Sequence, residues 1–129
     1  MIFLLDTSAA VALRDGDPDV RKRLEALDGP ICLSLLTRIA LEGGVDRSDP
    51  VRRVLRRARL DQILTAFETL PLDVTVVERY RTIVESAGYS RRKVVDRVIA
   101  AHALDLDATL VTLNGDDVKD IAGLQVLAW

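Results

Sequence analysis

The chain contains one histidine, His102, and one cysteine, Cys32. A histidine-based metal site or a cysteine–histidine nucleophile pair therefore has no partners to draw on. Cys32 lies in the apolar run Ile31-Cys32-Leu33 and reads as a buried small hydrophobe, while His102, set among alanines, reads as a packed or surface histidine. The acids remain. Asp6 directly follows Ile2-Phe3-Leu4-Leu5; Asp96 interrupts Val94-Val95-Asp96-Arg97-Val98-Ile99-Ala100-Ala101; Asp116 and Asp117 come shortly after the run Thr109 to Thr112. Each has an ordinary structural explanation. Asp6 could cap a helix, Asp96 could pair with Arg92 or Arg97 or face solvent, and Asp116 or Asp117 could cap the next helix. Taken together, they are hard oxygen donors without nitrogen or sulfur, a set that selects Mg²⁺ or Mn²⁺ over zinc.

The elements around these acids decide whether they can meet. Ile2 to Leu5 reads as a buried strand, with Thr7-Ser8 capping a helix from Ala9 to Arg14. Asp17-Pro18 and Asp49-Pro50 are cap-plus-proline helix starts; the first helix ends near Gly29, and the second carries Val51, Val54, Leu55, Ala58 and Gln62 on one side. Pro30 to Leu35 is a second strand, and Thr37 to Leu41 is helical as far as Gly43-Gly44. Leu70 to Val74 forms a weak third strand. Thr75 and Glu78 have capping-box spacing for a helix that stops at Gly88, and Ser90 opens another. Thr109 to Thr112 and Val126 to Trp129 are the remaining strands. Strands alternating with helices imply an α/β domain whose mostly parallel central sheet is flanked by helices on both faces. In such a sheet the ligand site lies beyond the carboxyl ends of the strands, where Asp6 and the group Asn114, Asp116 and Asp117 fall.

Composition narrows the class further. The 129 residues predict one domain, and 49% hydrophobic with 29% charged residues fits a globular fold and excludes disorder. A net charge of −2 excludes bulk polyanion binding, so contact with nucleic acid would need local basic patches or bound metal. A lone cysteine, no membrane-length apolar stretch and no basic lead-in before Ile2 are what a cytoplasmic protein would show.

Blocks in the sequence resemble those of a known family. Asp6-Thr7-Ser8 after an apolar strand, then Ser34-Leu35-Leu36-Thr37 with Leu41 and Gly44-Val45, is similar to the opening of PIN-domain ribonucleases of the VapC toxin type. Asp96-Arg97-Val98-Ile99-Ala100-Ala101 resembles the family's Asp-x-x-Ile-Ala-Ala block. Leu110 to Asp117 followed by Ile121-Ala122-Gly123-Leu124 resembles its Thr-x-Asn-x-x-Asp ending, with Val118 where phenylalanine is usual. The blocks run in order from Met1 to Trp129.

The resemblance implies an endoribonuclease using one or two Mg²⁺ or Mn²⁺ ions, which lower the pKa of a water and offset charge on the scissile phosphate. It makes Asp6 and Asp96 the principal ligands and Asp117 a further ligand or the holder of a water on the metal, with Asp116 its substitute. Thr7, Thr112 and Asn114 become groups that orient these oxygens. Arg91-Arg92-Lys93 either hold RNA phosphates beside the metal or form a solvated helix start, and Arg52, Arg53, Arg56, Arg57 and Arg59 are better read as a solvated face. The implied partners are an RNA substrate and a cognate VapB-like antitoxin, with a homodimer or a toxin–antitoxin hetero-oligomer as the assembly. The chain departs from the pattern at Ala40, where the block spacing places the family's glutamate. Glu42 is about 200° further around a helix and cannot point the same way without a change of register. Ala40 is thus a vacated acid position, from engineering or natural variation, and cleavage should be impaired.

Rival readings fit less well. A phospho-receiver domain needs adjacent acids after the first strand, but Thr7 follows Asp6. A dehalogenase-like phosphatase needs an aspartate where Ser8 stands. A silent PIN-fold module that binds antitoxin and RNA is compatible with Ala40.

Overall fold

The computed structural model describes all residues from Met1 to Trp129. Its strands are β1 (Phe3–Leu5), β2 (Ile31–Ser34), β3 (Glu68–Leu70), β4 (Thr109–Thr112) and β5 (Gln125–Ala128). Its helices are α1 (Thr7–Arg14), α2 (Pro18–Glu25), α3 (Leu35–Asp46), α4 (Pro50–Ala66), α5 (Val74–Ala87) and α6 (Val94–Leu106). Short 3₁₀ turns cover Arg91–Lys93 and Gly115–Asp117. The sheet order is β3-β2-β1-β4-β5, and every pairing is parallel. β1 is central and wholly buried, which is why its sequence is uninterrupted apolar residues with no alternation.

Alternate side chains of β1 feed two cores. Phe3 and Leu5 pack with Ala9, Ala10, Leu24, Leu41 and Leu60 from α1 to α4. Leu4 packs on the other face with Val76, Ile83, Ile99 and Ala100 from α5 and α6. Helices therefore cover both faces, as the alternating pattern predicts. The chain runs from β1 outward through β2 to β3, then returns to β4 on the other side of β1. The topological switch point thus lies between β1 and β4, where the crevice of such a sheet opens.

Several local expectations are corrected. The cap of α1 is Asp6, whose side chain accepts from the Ala9 amide, and Thr7 is already helical. Gly43-Gly44 does not end α3, which continues to Asp46. Gly44 is there for space: a Cβ on it would stand 2.2 Å from Nη1 of the buried Arg14, whereas one on Gly43 would meet nothing within 4 Å. The third strand is Glu68–Leu70, and α5 is capped by Asp73, which accepts from the Thr75 and Val76 amides, so Thr75 lies inside the helix. Helix α2 stops at Glu25, before Gly29, and the segment after Ser90 begins with a 3₁₀ turn. On α4 the buried residues are Leu60 and Ile63; Val51, Val54, Leu55, Ala58 and Gln62 are all exposed, because that stripe lies on the side of the helix opposite Leu60.

Candidate metal centre

Parallel topology places the acids. Asp6 is the first residue beyond β1, and Asn114 to Asp117 follow β4, its neighbour. Helix α6 leads into β4 and so runs back along the sheet, which puts its first turn, with Asp96, at the same carboxyl edge. The result is a cleft of about 270 Å³ lined by Asp6, Thr7, Ser8, Asp96, Leu110, Asn114, Asp117 and Val118.

Asp6 is the most constrained of these acids. Ser8 Oγ donates to its Oδ1 at 2.6 Å and the Ala9 amide donates to the same oxygen at 3.0 Å. Thr112 Oγ1 donates to Oδ2. The helix-cap role and the place in the cleft are therefore one arrangement, since the Ala9 amide that the carboxylate caps also orients it. The two hydroxyls are themselves held: Leu113 N donates to Ser8 Oγ at 3.0 Å and Asn114 N to Thr112 Oγ1 at 2.9 Å. Ser8, expected from the sequence to cap α1, instead aims the capping carboxylate of Asp6; its place in the Asp6-Thr7-Ser8 block is the only sequence signal of that role.

Asp96 is half-buried, and neither Arg92 nor Arg97 pairs with it. Burial pushes its carboxyl pKa up, the charges of Asp117 and Asp6 push it further, and Lys93 opposes them. Three segments thus bring carboxylates into one another's field. Thr7 Oγ1 is buried without a hydrogen-bond partner at the cleft, leaving an oxygen free to orient a ligand.

This donor set suits a hard cation, being oxygen throughout and anionic. No three histidine, cysteine, aspartate or glutamate side chains stand close enough to enclose an ion on their own. An ion held here would have to keep part of its water shell, as Mg²⁺ commonly does.

The other candidate residues fall elsewhere. Asp116 points away: its side chain is 96% exposed and stands 3.9 Å from Lys119 Nζ. Ala40 is half-buried on α3 and does not line the cleft. Glu42 faces α4, accepting from Arg57 Nη1 and Nη2 at 3.0 Å each, which holds its carboxyl pKa low. Arg91 and Arg92 are exposed in the turn before α6, and Lys93 leans toward Asp120 at 4.0 Å. The α4 arginines are engaged more than a solvated face requires. Arg53 and Arg59 donate to carbonyls of Asp46, Ser48 and Asp15, and Arg56 pairs with Asp15. His102 is packed, with Nδ1 3.0 Å from Ser34 Oγ, and burial lowers its pKa; burial likewise raises that of the Cys32 thiol.

The sequence and the fold are similar to those of known proteins. The PIN domain family matches residues 3–124. Ribonuclease VapC1 of Rickettsia felis is 30% identical over 131 residues, covering 98% of this chain and 96% of its own. The fold superposes on a chain of the Rickettsia felis VapBC2 complex bound to a promoter DNA fragment, with TM-score 0.85, 29% identity, and 100% and 99% of the two chains covered. A chain of Neisseria gonorrhoeae FitAcB gives TM-score 0.82 at 28% identity, covering 98% and 96%. With its acids gathered at the β1–β4 switch point and this match along nearly its whole length, the chain belongs to the PIN domain family.

Proposed function

We propose that this chain is a Mg²⁺- or Mn²⁺-dependent endoribonuclease and the toxin of a toxin–antitoxin pair, its activity reduced by Ala40. The observation that carries the reading is the cleft itself, in which Asp6, Asp96 and Asp117 come together from three separate segments. Relatives along the whole chain are named ribonucleases, which supports RNA as the substrate. Structural neighbours that are VapBC complexes support a VapB-like antitoxin as partner; the assembly we propose is a homodimer or a toxin–antitoxin hetero-oligomer.

The cation, when bound, supplies positive charge for water attack on a phosphodiester. The chain's own groups do the rest. Asp6 is aimed by Ser8, Thr112 and the Ala9 amide, so its orientation is set before substrate arrives. Asp96 and Asp117 concentrate negative charge that repels RNA until a cation offsets it. Arg91 and Arg92, exposed ahead of α6, are free to take backbone phosphates on the same edge. An arginine from an antitoxin could pair with the same carboxylates and exclude the cation.

The test is cleavage of total RNA with Mn²⁺, Mg²⁺ or chelator. Metal-dependent fragments bearing 5′-phosphate and 3′-hydroxyl ends are expected; 2′,3′-cyclic phosphate ends would contradict the mechanism. Ala40 favours a second reading, a PIN-fold module that binds antitoxin and RNA without cutting. Metal and RNA binding with no cleavage at any enzyme concentration would select it.

A further inference from the structure

Arg97 follows Asp96 in the chain but turns away from it. It is 3% exposed, and a buried guanidinium is costly unless its donors are matched. Its Nη1 donates to the Gly88 carbonyl at 2.5 Å and its Nη2 to Asp120 Oδ2 at 3.3 Å; Nε has no partner. Lys93 Nζ stands 4.0 Å from the same Asp120 oxygen. One side chain therefore ties together three segments: the end of α5 at Gly88, the first turns of α6, and the loop that carries Asp117. Val118 and Ile121 bury their side chains on either side of Asp120, so the loop is packed against the same core as Ile99 and Ala100. Apolar packing holds two surfaces together but tolerates sliding. A hydrogen-bonded ion pair is directional and sets the offset between them. No other side-chain hydrogen bond joins α6 to this loop.

We propose that the Arg97–Asp120 pair positions the metal site, fixing the separation of the Asp96 and Asp117 carboxylates and through it the affinity for a divalent cation. This rests on the reading above that those carboxylates hold one. Arg97 is a positioning residue that need not touch the cation or the RNA. It occupies an unspecified place in the Asp-x-x-Ile-Ala-Ala pattern, so the device belongs to this chain's own residues.

Charge and position predict opposite results at Arg97. Removing a cation beside an acidic cleft should, by charge alone, tighten Mn²⁺ binding; loosening the Asp117 loop should weaken it. Calorimetric titration with Mn²⁺ of the unsubstituted protein, Arg97→Met, Arg97→Lys, Asp120→Asn and the Arg97→Met/Asp120→Asn double variant separates them. Asp96→Asn marks loss of the site, and Lys119→Met, an exposed cation on the same turn, controls for charge. The expected result is a weakening on the order of tenfold or more in Arg97→Met and in the charge-preserving Arg97→Lys. The double variant should be no weaker than the worse single one, as for two halves of one contact. Lys119→Met should bind as well as the unsubstituted protein or slightly better. If Arg97→Met does not fold, Arg97→Lys carries the test. Unchanged or tighter Mn²⁺ binding in a folded Arg97 variant would overturn the proposal while leaving the metal site intact. If the unsubstituted protein binds no Mn²⁺, or Asp96→Asn binds it equally, the metal reading falls and this proposal with it.

Discussion

Replacing Thr112 by valine keeps the shape of a fully buried side chain and removes one oxygen. That oxygen donates to Asp6 Oδ2 and accepts from the Asn114 amide. A hydrogen bond to a charged group contributes about 1.5–3 kcal/mol, and the carboxylate oxygen left behind is buried with Asp6 at 8% exposure. Asn114 is exposed, so water can take its freed amide at little cost. Thr112→Val should therefore lose about 2–3 kcal/mol of stability. At roughly 4 °C per kcal/mol for a chain of this size, the melting temperature should fall by roughly 8–12 °C. The valine variant also frees Asp6 to rotate, and losing such a supporting hydrogen bond typically weakens metal binding by about 10–100-fold. Thr112→Ser is the informative companion. It restores the hydroxyl while deleting a buried methyl, so Mn²⁺ affinity should return although about 1 kcal/mol of stability stays lost. Thermal melts and Mn²⁺ titration of both variants, with Thr112→Val repeated on Asp6→Asn, complete the assay. Unchanged affinity in the valine variant, or failure of serine to restore it, would show that the hydroxyl only packs and that Asp6 needs no aiming.

Other expectations follow from the same geometry. Gly43→Ala should stabilise α3 by up to about 1 kcal/mol from helix propensity. Gly44→Ala gains as much but displaces the buried Arg14, whose Nη1 donates to the Leu41 carbonyl at 3.1 Å, so denaturant melts should show a net loss of about 1–2 kcal/mol. His102 has a folded pKa held below its unfolded value of about 6.5, chiefly by burial. The folded state then binds fewer protons, so this contribution to stability is present above about pH 6.5 and is lost as pH falls through the lowered folded value. His102→Gln should flatten the stability profile below about pH 6.5, measured as the difference from the unsubstituted protein; an unaltered slope would remove His102 as its source. Ala40→Glu should strongly raise Mn²⁺-dependent RNA cleavage and lower the stability of the metal-free protein, a loss that added Mn²⁺ reverses. Equal cleavage before and after that change would mean that Ala40 is no vacated ligand position. Full activity of the unsubstituted chain that vanishes on Glu42→Gln would make Glu42 the ligand.

What the sequence determined by itself was everything carried by periodicity and strong local chemistry. The unbroken apolar run of β1 and the β-branched run Thr109 to Thr112 of β4 read as buried strands, and Asp17-Pro18 and Asp49-Pro50 are starts that few conformations other than a helix satisfy. Parallel order then put Asp6 and the group Asn114 to Asp117 at one edge, and the structure adds Asp96, because the helix that leads into β4 begins there. Tertiary structure decided what depends on partners far along the chain. Gly43-Gly44 looked like a helix end, and only the guanidinium of Arg14 lying against Gly44 shows it to be a clearance within a continuing helix. The stripe of Val51, Val54, Leu55 and Ala58 had the right spacing to be core, yet the face that packs is the one carrying Leu60 and Ile63, and spacing alone cannot say which face meets the sheet. Glu42 and Asp116 were local alternatives to the site acids. One was drawn to Arg57 on α4 and the other left in solvent by the turn after β4. The contacts that give Ser8 its aiming role and the Arg97–Asp120 pair were hidden for the same reason. Ser8 acts through groups brought to it from β4 and the loop beyond, and a salt bridge between residues 23 apart leaves no pattern in a single sequence. Spacing records which side chains share a face; only the folded chain brings distant faces together.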